Sequence, residues 1–245
     1  MFSQLKNHPF AVNAHFDQSI ILTFAVSREQ LAPLLPPSLQ LDTYQDKWAF
    51  LAVALVRTSA LRPAGFPTWM GQNFFLIGYR IFVRYTDQNG RRLRGLLILK
   101  SQTDKKQMSL LGNVFTHYRY EEIKIQKGAK GSNQIIEAPD NRFRIAFQSN
   151  SEDVKMPIDS PFYDWKDARK FAGPLPHTFT YLSNSKEMLI VEGQRQNWIP
   201  KPVQINSYNI PYFSELGIKN PILASAFQIK DIPYHWKKGR LERCL

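Results

Sequence analysis

The 245-residue chain is divided into about ten short apolar runs rich in β-branched and aromatic residues, a pattern typical of strands. The predicted strands cover residues 19–26, 48–58, 74–85, 93–101, 114–125, 143–149, 178–183, 188–194, 203–208 and 222–229. So many strands must close on themselves or stack in order to hide their edges. The sequence therefore predicts a mainly β fold, antiparallel for the most part, with a few helices at the rim of a barrel or sandwich.

Local signals predict turns and two helices between these strands. Asn89-Gly90 lies between two predicted strands, and this pair favours the positive φ angles of a tight hairpin turn. Ser27 and Gln30 have the spacing of a capping box and predict a short first helix. Residues 159–174 predict a second helix, which begins at an Asp-Ser-Pro cap and ends at Gly-Pro. Residues 126–141 are polar and Gly-containing, as expected of a long hairpin tip.

Composition narrows the class of protein. At 43% hydrophobic and 21% charged residues, the chain is ordinary for a globular protein, and one domain over residues 1–245 is expected. No run approaches the roughly 18–20 apolar residues of a spanning helix, so no membrane partner is expected. The single cysteine, Cys244, allows no internal disulfide, which favours a reducing compartment. Because the N-terminal residues lack a secretory apolar region, we expect a cytoplasmic protein.

Motifs for common cofactors are missing from the sequence. It has no phosphate-binding GxxxxGK[ST] loop, no GxGxxG fingerprint, no GxSxG elbow and no HExxH. Its five histidines do not have metal-ligand spacing, so neither a cofactor nor a metal is expected. The net charge of +12 raises the alternative of a nucleic-acid-binding barrel. Most aromatic residues lie inside the apolar runs, which does not favour a nucleic-acid partner.

Six segments, in this order, resemble the acetoacetate decarboxylase-like superfamily and its branch of uncharacterised conserved bacterial proteins. They cover a little over a third of the chain and are residues 28–41, 48–67, 73–85, 96–111, 112–120 and 191–203. The resemblance implies a cone-shaped, antiparallel β-barrel that closes over a pocket, usually in a homo-oligomer. It also implies a small anionic or carbonyl ligand.

The same resemblance argues against the decarboxylase reaction. In the decarboxylases a buried lysine after a Gly-Phe-Pro turn forms a Schiff base with the keto substrate. Aligning Gly112-Asn113-Val114 with that turn puts Phe115 and Thr116 at the reactive positions. The acidic partner expected four residues before Arg80 is replaced by Leu76. The resemblance therefore implies a relative that does not decarboxylate through a Schiff base, and whether it is an enzyme stays open.

Three polar residues on predicted strands are the first candidates for ligand binding. Arg80 lies in an apolar strand, so it either reaches solvent or meets a carboxylate of the protein or of a ligand. Lys100 ends a strand and points either into the barrel or out at its rim. His117 is either a hydrogen-bonded structural residue or a pocket residue beside the family's reactive position. Because their strands follow one another closely, we expect all three in one cavity.

Two further candidates complete the predicted site. Phe115, together with Phe82, is expected to line the cavity. Arg195 lies close to Trp198 and is expected to bind ligand or to pack the tryptophan against the barrel. A cationic, apolar cavity favours a carboxylate, because arginine binds it with two parallel hydrogen bonds. The leading hypothesis is a pocket for a small organic acid or carbonyl compound, and the other alternative is a scaffold with a filled barrel.

Overall fold

The computed structural model describes residues 5–148, 153–173, 175–196 and 198–244. Within these ranges the chain forms fifteen strands and four short α-helices, with 3-10 turns between some of them. The strands are β1 (Val12–Ser27), β2 (Gln40–Leu41), β3 (Trp48–Pro63), β4 (Gln72–Thr86), β5 (Arg92–Thr103), β6 (Tyr120–Glu122), β7 (Gln126–Lys130), β8 (Asn133–Ala138), β9 (Phe143–Gln148), β10 (His177–Leu182), β11 (Glu187–Arg195), β12 (Lys201–Pro202), β13 (Gln204–Asn209), β14 (Ile222–Trp236) and β15 (Arg240–Arg243). The helices are α1 (Arg28–Leu31), α2 (Lys106–Phe115), α3 (Trp165–Phe171) and α4 (Tyr212–Glu215).

Seven strands form a closed hydrogen-bonded ring in the order β14-β1-β3-β4-β5-β10-β11. The ring closes because β14 pairs with β1 along most of its length and with the end of β11 through Tyr234–Trp236. Its pairings are antiparallel, apart from the parallel contact between β5 and β10. A second sheet, β13-β9-β8-β7, packs on the ring. The predicted mainly β fold with a few helices is confirmed.

Alternation along β4 gives the ring two different faces. Tyr79 and Ile81 belong to the main buried core, which also contains side chains of the second sheet. Arg80 and Phe82 lie on the opposite face, since successive side chains of a strand point to opposite sides. Small side chains stand beside Arg80 on the next two strands, where the register places Ala52 and then Thr23. This leaves room for a long side chain at that level.

Aromatic side chains fill the part of this face near Phe82. The rings of Phe50 and Phe162 are stacked at 5.3 Å, and Phe171 of α3 lies 5.0 Å from Phe50. Helix α3 begins at Trp165, where the side chain of Asp164 accepts a hydrogen bond from a backbone N–H of the first turn. The predicted cap at 159–161 is therefore wrong, since the helix starts later. Phe162 precedes the helix and packs directly on Phe50.

The predicted strand over residues 114–125 is wrong. Helix α2 continues through Phe115, and strand β6 covers only Tyr120–Glu122. Asn113 explains the turn, because its side chain donates to the carbonyl of Tyr120 and accepts from its N–H. That pair of bonds folds the chain back onto the helix. The predicted hairpin at 126–141 is confirmed by β7 and β8, and the turn at Gly90 has a positive φ of 76°.

None of the described helices is long and apolar enough to cross a membrane. In the described ranges, no three His, Cys, Asp or Glu side chains gather in a group suited to a metal ion.

Candidate functional site

Two cavities adjoin the ring near the end of β14. The larger, which we call the polar cleft, has a volume of about 940 Å³ and is lined by Asn13, His15, Glu192, Arg195, Trp198 and Tyr234 among others. The smaller, the apolar cavity, measures about 210 Å³. Its lining includes Phe10, Met108, Phe115, Tyr118, Tyr120 and Trp236.

Arg80 is not among the lining residues of either cavity, but residues of both lie close enough to influence its charge. Burial lowers the pKa of its guanidinium, and the nearby charge of Arg195 lowers it further. The phenol groups of Tyr234, Tyr120 and Tyr118 also lie close enough to influence its charge. Arg195 and Tyr234 belong to β11 and β14, each separated from β4 by two strands of the ring. Arg80 therefore points into the ring interior, and because an arginine stays protonated in proteins, it brings a positive charge there.

Arg195 brings a second positive charge to the same place. Its guanidinium lies 4.1 Å from the ring centre of Trp198 and 5.7 Å from that of Tyr234. Burial lowers the pKa of Arg195 as well. Nε of Arg80 and Nη2 of Arg195 are buried without a hydrogen-bond partner. Burying such donors and charges without partners is costly.

The described residues supply no counter-charge to these two arginines. Within the ranges described, neither guanidinium has a carboxylate oxygen within 4.0 Å. The carboxylate of the polar cleft, Glu192, is held by Lys237, whose Nζ lies 2.9 Å from it. The arginine pair therefore leaves an unpaired charge of about +2 in the ring interior.

The surrounding tyrosines are neutral hydrogen-bond donors. Burial raises the pKa of Tyr118 above its usual range and that of Tyr120 to about 12, so both stay protonated at neutral pH. The hydroxyl of Tyr118 approaches Thr178 but does not reach hydrogen-bond geometry with it. Nε1 of Trp198 is likewise buried without a partner. The site thus combines two cations with unused neutral hydrogen-bond donors, and such groups can bind an anion or a carbonyl oxygen.

Glycines create the space that the large side chains of the site occupy. A Cβ atom added at Gly193 would overlap the hydroxyl of Tyr234, and one added at Gly112 would overlap the ring of Tyr120. At Gly78, an added Cβ would lie 3.2 Å from the guanidinium of Arg80. The backbone at these three positions therefore serves as a surface on which a polar side chain rests.

Of the five residues predicted from the sequence, Arg80 and Arg195 come together. Phe115 lies nearby in the wall of the apolar cavity, where its ring is 5.1 Å from that of Phe10. His117 follows α2 in a loop, and its Nε2 lies 3.0 Å from the side-chain oxygen of Asn7. Burial and the charge of Lys6 lower the pKa of His117. His117 thus contacts the N-terminal segment through Asn7.

Lys100 does not join the arginine pair. The register places it opposite Tyr79, which belongs to the main core on the other face of β4. Its ammonium forms an ion pair of 2.9 Å with Glu121 and lies 5.1 Å from the ring centre of Tyr212. Those contacts leave it paired outside the ring interior.

The sequence analysis missed Tyr118, Tyr120, Tyr234 and Trp236 as site residues. A signal was available for Tyr234 and Trp236, since they are separated by one residue, as expected of two side chains on one strand face. The predicted last strand stopped at residue 229, whereas β14 continues through Pro233 to Trp236. A proline inside a strand weakens the sequence signal because it lacks the N–H of a ladder bond.

Comparison with known proteins places the chain in a family. Residues 13–230 match the model of DUF2071, which is described as an uncharacterized conserved protein. The chain belongs to the DUF2071 family. A search of curated proteins finds no match.

Solved structures share the fold of this DUF2071 protein. Acetoacetate decarboxylase from Legionella pneumophila is 12% identical with a TM-score of 0.60, over 94% of this chain and 87% of that one. An acetoacetate decarboxylase-like enzyme from Sphingomonas wittichii RW1 is 13% identical with a TM-score of 0.59, over 97% and 94% of the two chains. The enduracididine biosynthesis enzyme MppR complexed with pyruvate is 10% identical with a TM-score of 0.58, over 95% and 90%. At these identities the likeness shows an acetoacetate decarboxylase-like fold.

Proposed function

We propose that this protein binds a small organic acid, such as a 2-oxo acid, in the ring interior. The observation that carries the proposal is a pair of half-buried arginines, Arg80 and Arg195, each with one buried guanidinium nitrogen that has no hydrogen-bond partner and with no carboxylate of the described chain within 4.0 Å. A ligand carboxylate would supply the missing charge and accept these hydrogen bonds. The gain is larger than in water, because the surrounding aromatic side chains lower the local dielectric.

The neutral donors around the pair suit the rest of such a ligand. A carbonyl oxygen next to the carboxylate would accept a hydrogen bond from the Tyr118 hydroxyl or the Trp198 indole, whose donors have no partner. The Arg195 side chain lines the polar cleft and would be the first to meet a ligand that enters from solvent. One solved structure with this fold, MppR, is complexed with pyruvate, a 2-oxo acid, which agrees with this choice of ligand class.

We further propose that the protein does not decarboxylate acetoacetate through a Schiff base. Phe115, at the position aligned with the reactive lysine, carries no amine. The ammonium of Lys100 is ion-paired with Glu121 on the far face of β4. Borohydride reduction in the presence of acetoacetate, followed by mass spectrometry, should therefore leave the chain unmodified, and an adduct on Lys100 would refute this part.

Binding is tested by calorimetric titration with pyruvate. We expect binding to the wild type, and at least tenfold weaker binding to Arg80→Met and to Arg195→Met, because each loses one of the two cations. Arg57→Met is the matched control, since Arg57 is an exposed arginine on the same ring. The proposal fails if the wild type does not bind pyruvate or related 2-oxo acids, or if the two interior variants bind as well as the control.

A further inference from the structure

The apolar cavity is the feature of the structure that the arginine pair leaves unexplained. Helix α2 contributes Met108, Leu111 and Phe115 to one wall, and Phe10 and Trp236 contribute to others. Most of the surface that lines it is apolar. Met70, on the loop before β4, also lines the cavity and is 48% exposed, so the cavity is reached from solvent at that point.

Its volume suits one small apolar group. An engineered cavity of roughly 150 Å³ lined by apolar side chains takes up benzene. The apolar cavity, at about 210 Å³, is larger and is also lined mainly by apolar side chains. It therefore has room for an aryl ring or a short branched chain.

The apolar cavity adjoins the polar cleft in which Arg195 lies, because Arg62 lines both, and the ring of Trp236 in the first is 4.3 Å from that of Tyr234 in the second. Tyr118 and Tyr120 line the cavity, and both influence the charge of Arg80. The two tyrosines therefore lie near both the cavity and the cation. A ligand whose carboxylate is held at the arginines has an apolar wall within reach of its other end.

His8 keeps this wall uncharged. Burial, and secondarily the charge of His117, lower the pKa of His8 to about 4, so its ring is neutral at physiological pH. Its backbone is fixed by hydrogen bonds to Phe115 and Gly239. Nε2 of His8 is buried without a partner, and its ring lies 5.2 Å from that of Tyr118. His8 and Tyr118 therefore each bring one unused hydrogen-bonding atom to a mainly apolar lining.

We infer that the ligand is an amphipathic acid, whose carboxylate is held by Arg80 and Arg195 and whose aryl or short branched apolar group fills the apolar cavity. This inference rests on the proposed function and adds the class of substituent that the acid carries. The polar cleft admits the charged end, and the 210 Å³ cavity sets the upper size of the apolar end.

The test compares phenylpyruvate with pyruvate by calorimetric titration. We expect phenylpyruvate to bind the wild type at least tenfold more tightly, since burial of an aryl ring removes apolar surface from water. Leu111→Trp fills the cavity and should abolish this advantage while leaving pyruvate affinity unchanged. Arg195→Met should weaken both acids. Equal affinity of the two acids, or an advantage that persists in Leu111→Trp, would overturn the inference while leaving the proposed function standing.

A second measurement probes the apolar cavity with benzene, a ligand that has no carboxylate. Addition of benzene should shift the methyl NMR signals of Met70 and Met108, which line the cavity, because an aromatic ring shields nearby nuclei. Met156 and Met188 lie outside the lining and serve as internal controls. If only the controls shift, or no methionine does, the cavity does not accept an aryl group and the inference is wrong. Shifts without any binding of pyruvate would refute the proposed function alone.

Discussion

Two arginines on the same face of β4, Arg84 and Arg80, have opposite environments. Arg84 and Arg94 share the fully buried carboxylate of Asp42, with N–O distances of 2.5 and 2.6 Å. Arg80 lies four residues before Arg84, on the same side of the strand, and has a second arginine as its neighbour instead of a carboxylate. The first arrangement satisfies its charges within the protein, whereas the second does not.

The two environments distinguish a structural role of an arginine from a ligand-binding role. Nothing about Arg84 calls for a ligand, because Asp42 accepts from it and from Arg94. Arg80 has a buried Nε without a partner, and so has the Nη2 of Arg195. The fold thus pairs the arginines at one position of the strand and leaves an arginine unpaired four residues away, which is a place for an external anion.

The largest effect is expected where the charges are paired. Asp42→Asn removes the counter-charge of both arginines and should lower the free energy of unfolding by about 3 kcal/mol, because two charge-assisted hydrogen bonds of about 1.5 kcal/mol each are lost from arginine side chains that are 37% exposed. Arg84→Met should also destabilise, as it leaves Asp42 with one partner fewer. Urea unfolding measures both. If Asp42→Asn unfolds like the wild type, the Asp42 cluster is not structural and the contrast with Arg80 disappears.

The next effect is on the pH dependence of stability and concerns His8, whose buried Nε2 also has no hydrogen-bond partner. Its folded pKa of about 4 lies below the usual histidine pKa of 6.5, so the unfolded chain binds a proton first as pH falls. Stability should therefore decline from about pH 6.5 and level off below about pH 4, by about 3 kcal/mol in total. His8→Phe should lack this component when its unfolding is measured across the same pH range. An identical pH dependence in both proteins would show that His8 is readily protonated in the fold.

A smaller effect is expected at the glycine beneath Tyr234. Gly193→Ala puts a methyl group where the Tyr234 hydroxyl lies, which should cost about 1–3 kcal/mol through overpacking and weaken pyruvate binding. Gly128→Ala is the control, since an added Cβ there meets nothing within 4 Å. Unfolding and titration of both variants decide the matter. Equal behaviour of the two variants would mean that the position of Tyr234 does not matter to the site.

The strands that the sequence predicted best are those buried along most of their length. Residues 48–58 and 74–85 were predicted as strands and lie within β3 and β4, where nearly every side chain is buried on one face or the other. Strands β1 and β14 extend well beyond their predicted ends. Their extensions carry polar residues and Pro233, which weaken the apolar signal although the pairing persists.

The site was predictable only in part, because its members come from separate elements. Arg80 stood out as a cation in an apolar strand, and Arg195 as a cation beside Trp198. Their meeting depends on the closure of β11 onto β14, a pairing between distant segments that no local pattern encodes. The phenols of Tyr118 and Tyr120 lie near Arg80 because the chain folds back after α2, where the sequence had favoured a strand and where the Asn113 side chain holds the backbone of Tyr120.

The most direct test measures the free energy of unfolding of the wild type and Arg80→Met, each with and without pyruvate. Without the acid, Arg80→Met should be as stable as the wild type or more stable by about 1 kcal/mol, since an apolar side chain replaces an unpaired buried charge. Pyruvate at ten times its dissociation constant for the wild type should stabilise the wild type by about 1.4 kcal/mol and Arg80→Met by at most about 0.4 kcal/mol. The account is contradicted if Arg80→Met is clearly less stable than the wild type without the acid and pyruvate does not stabilise the wild type.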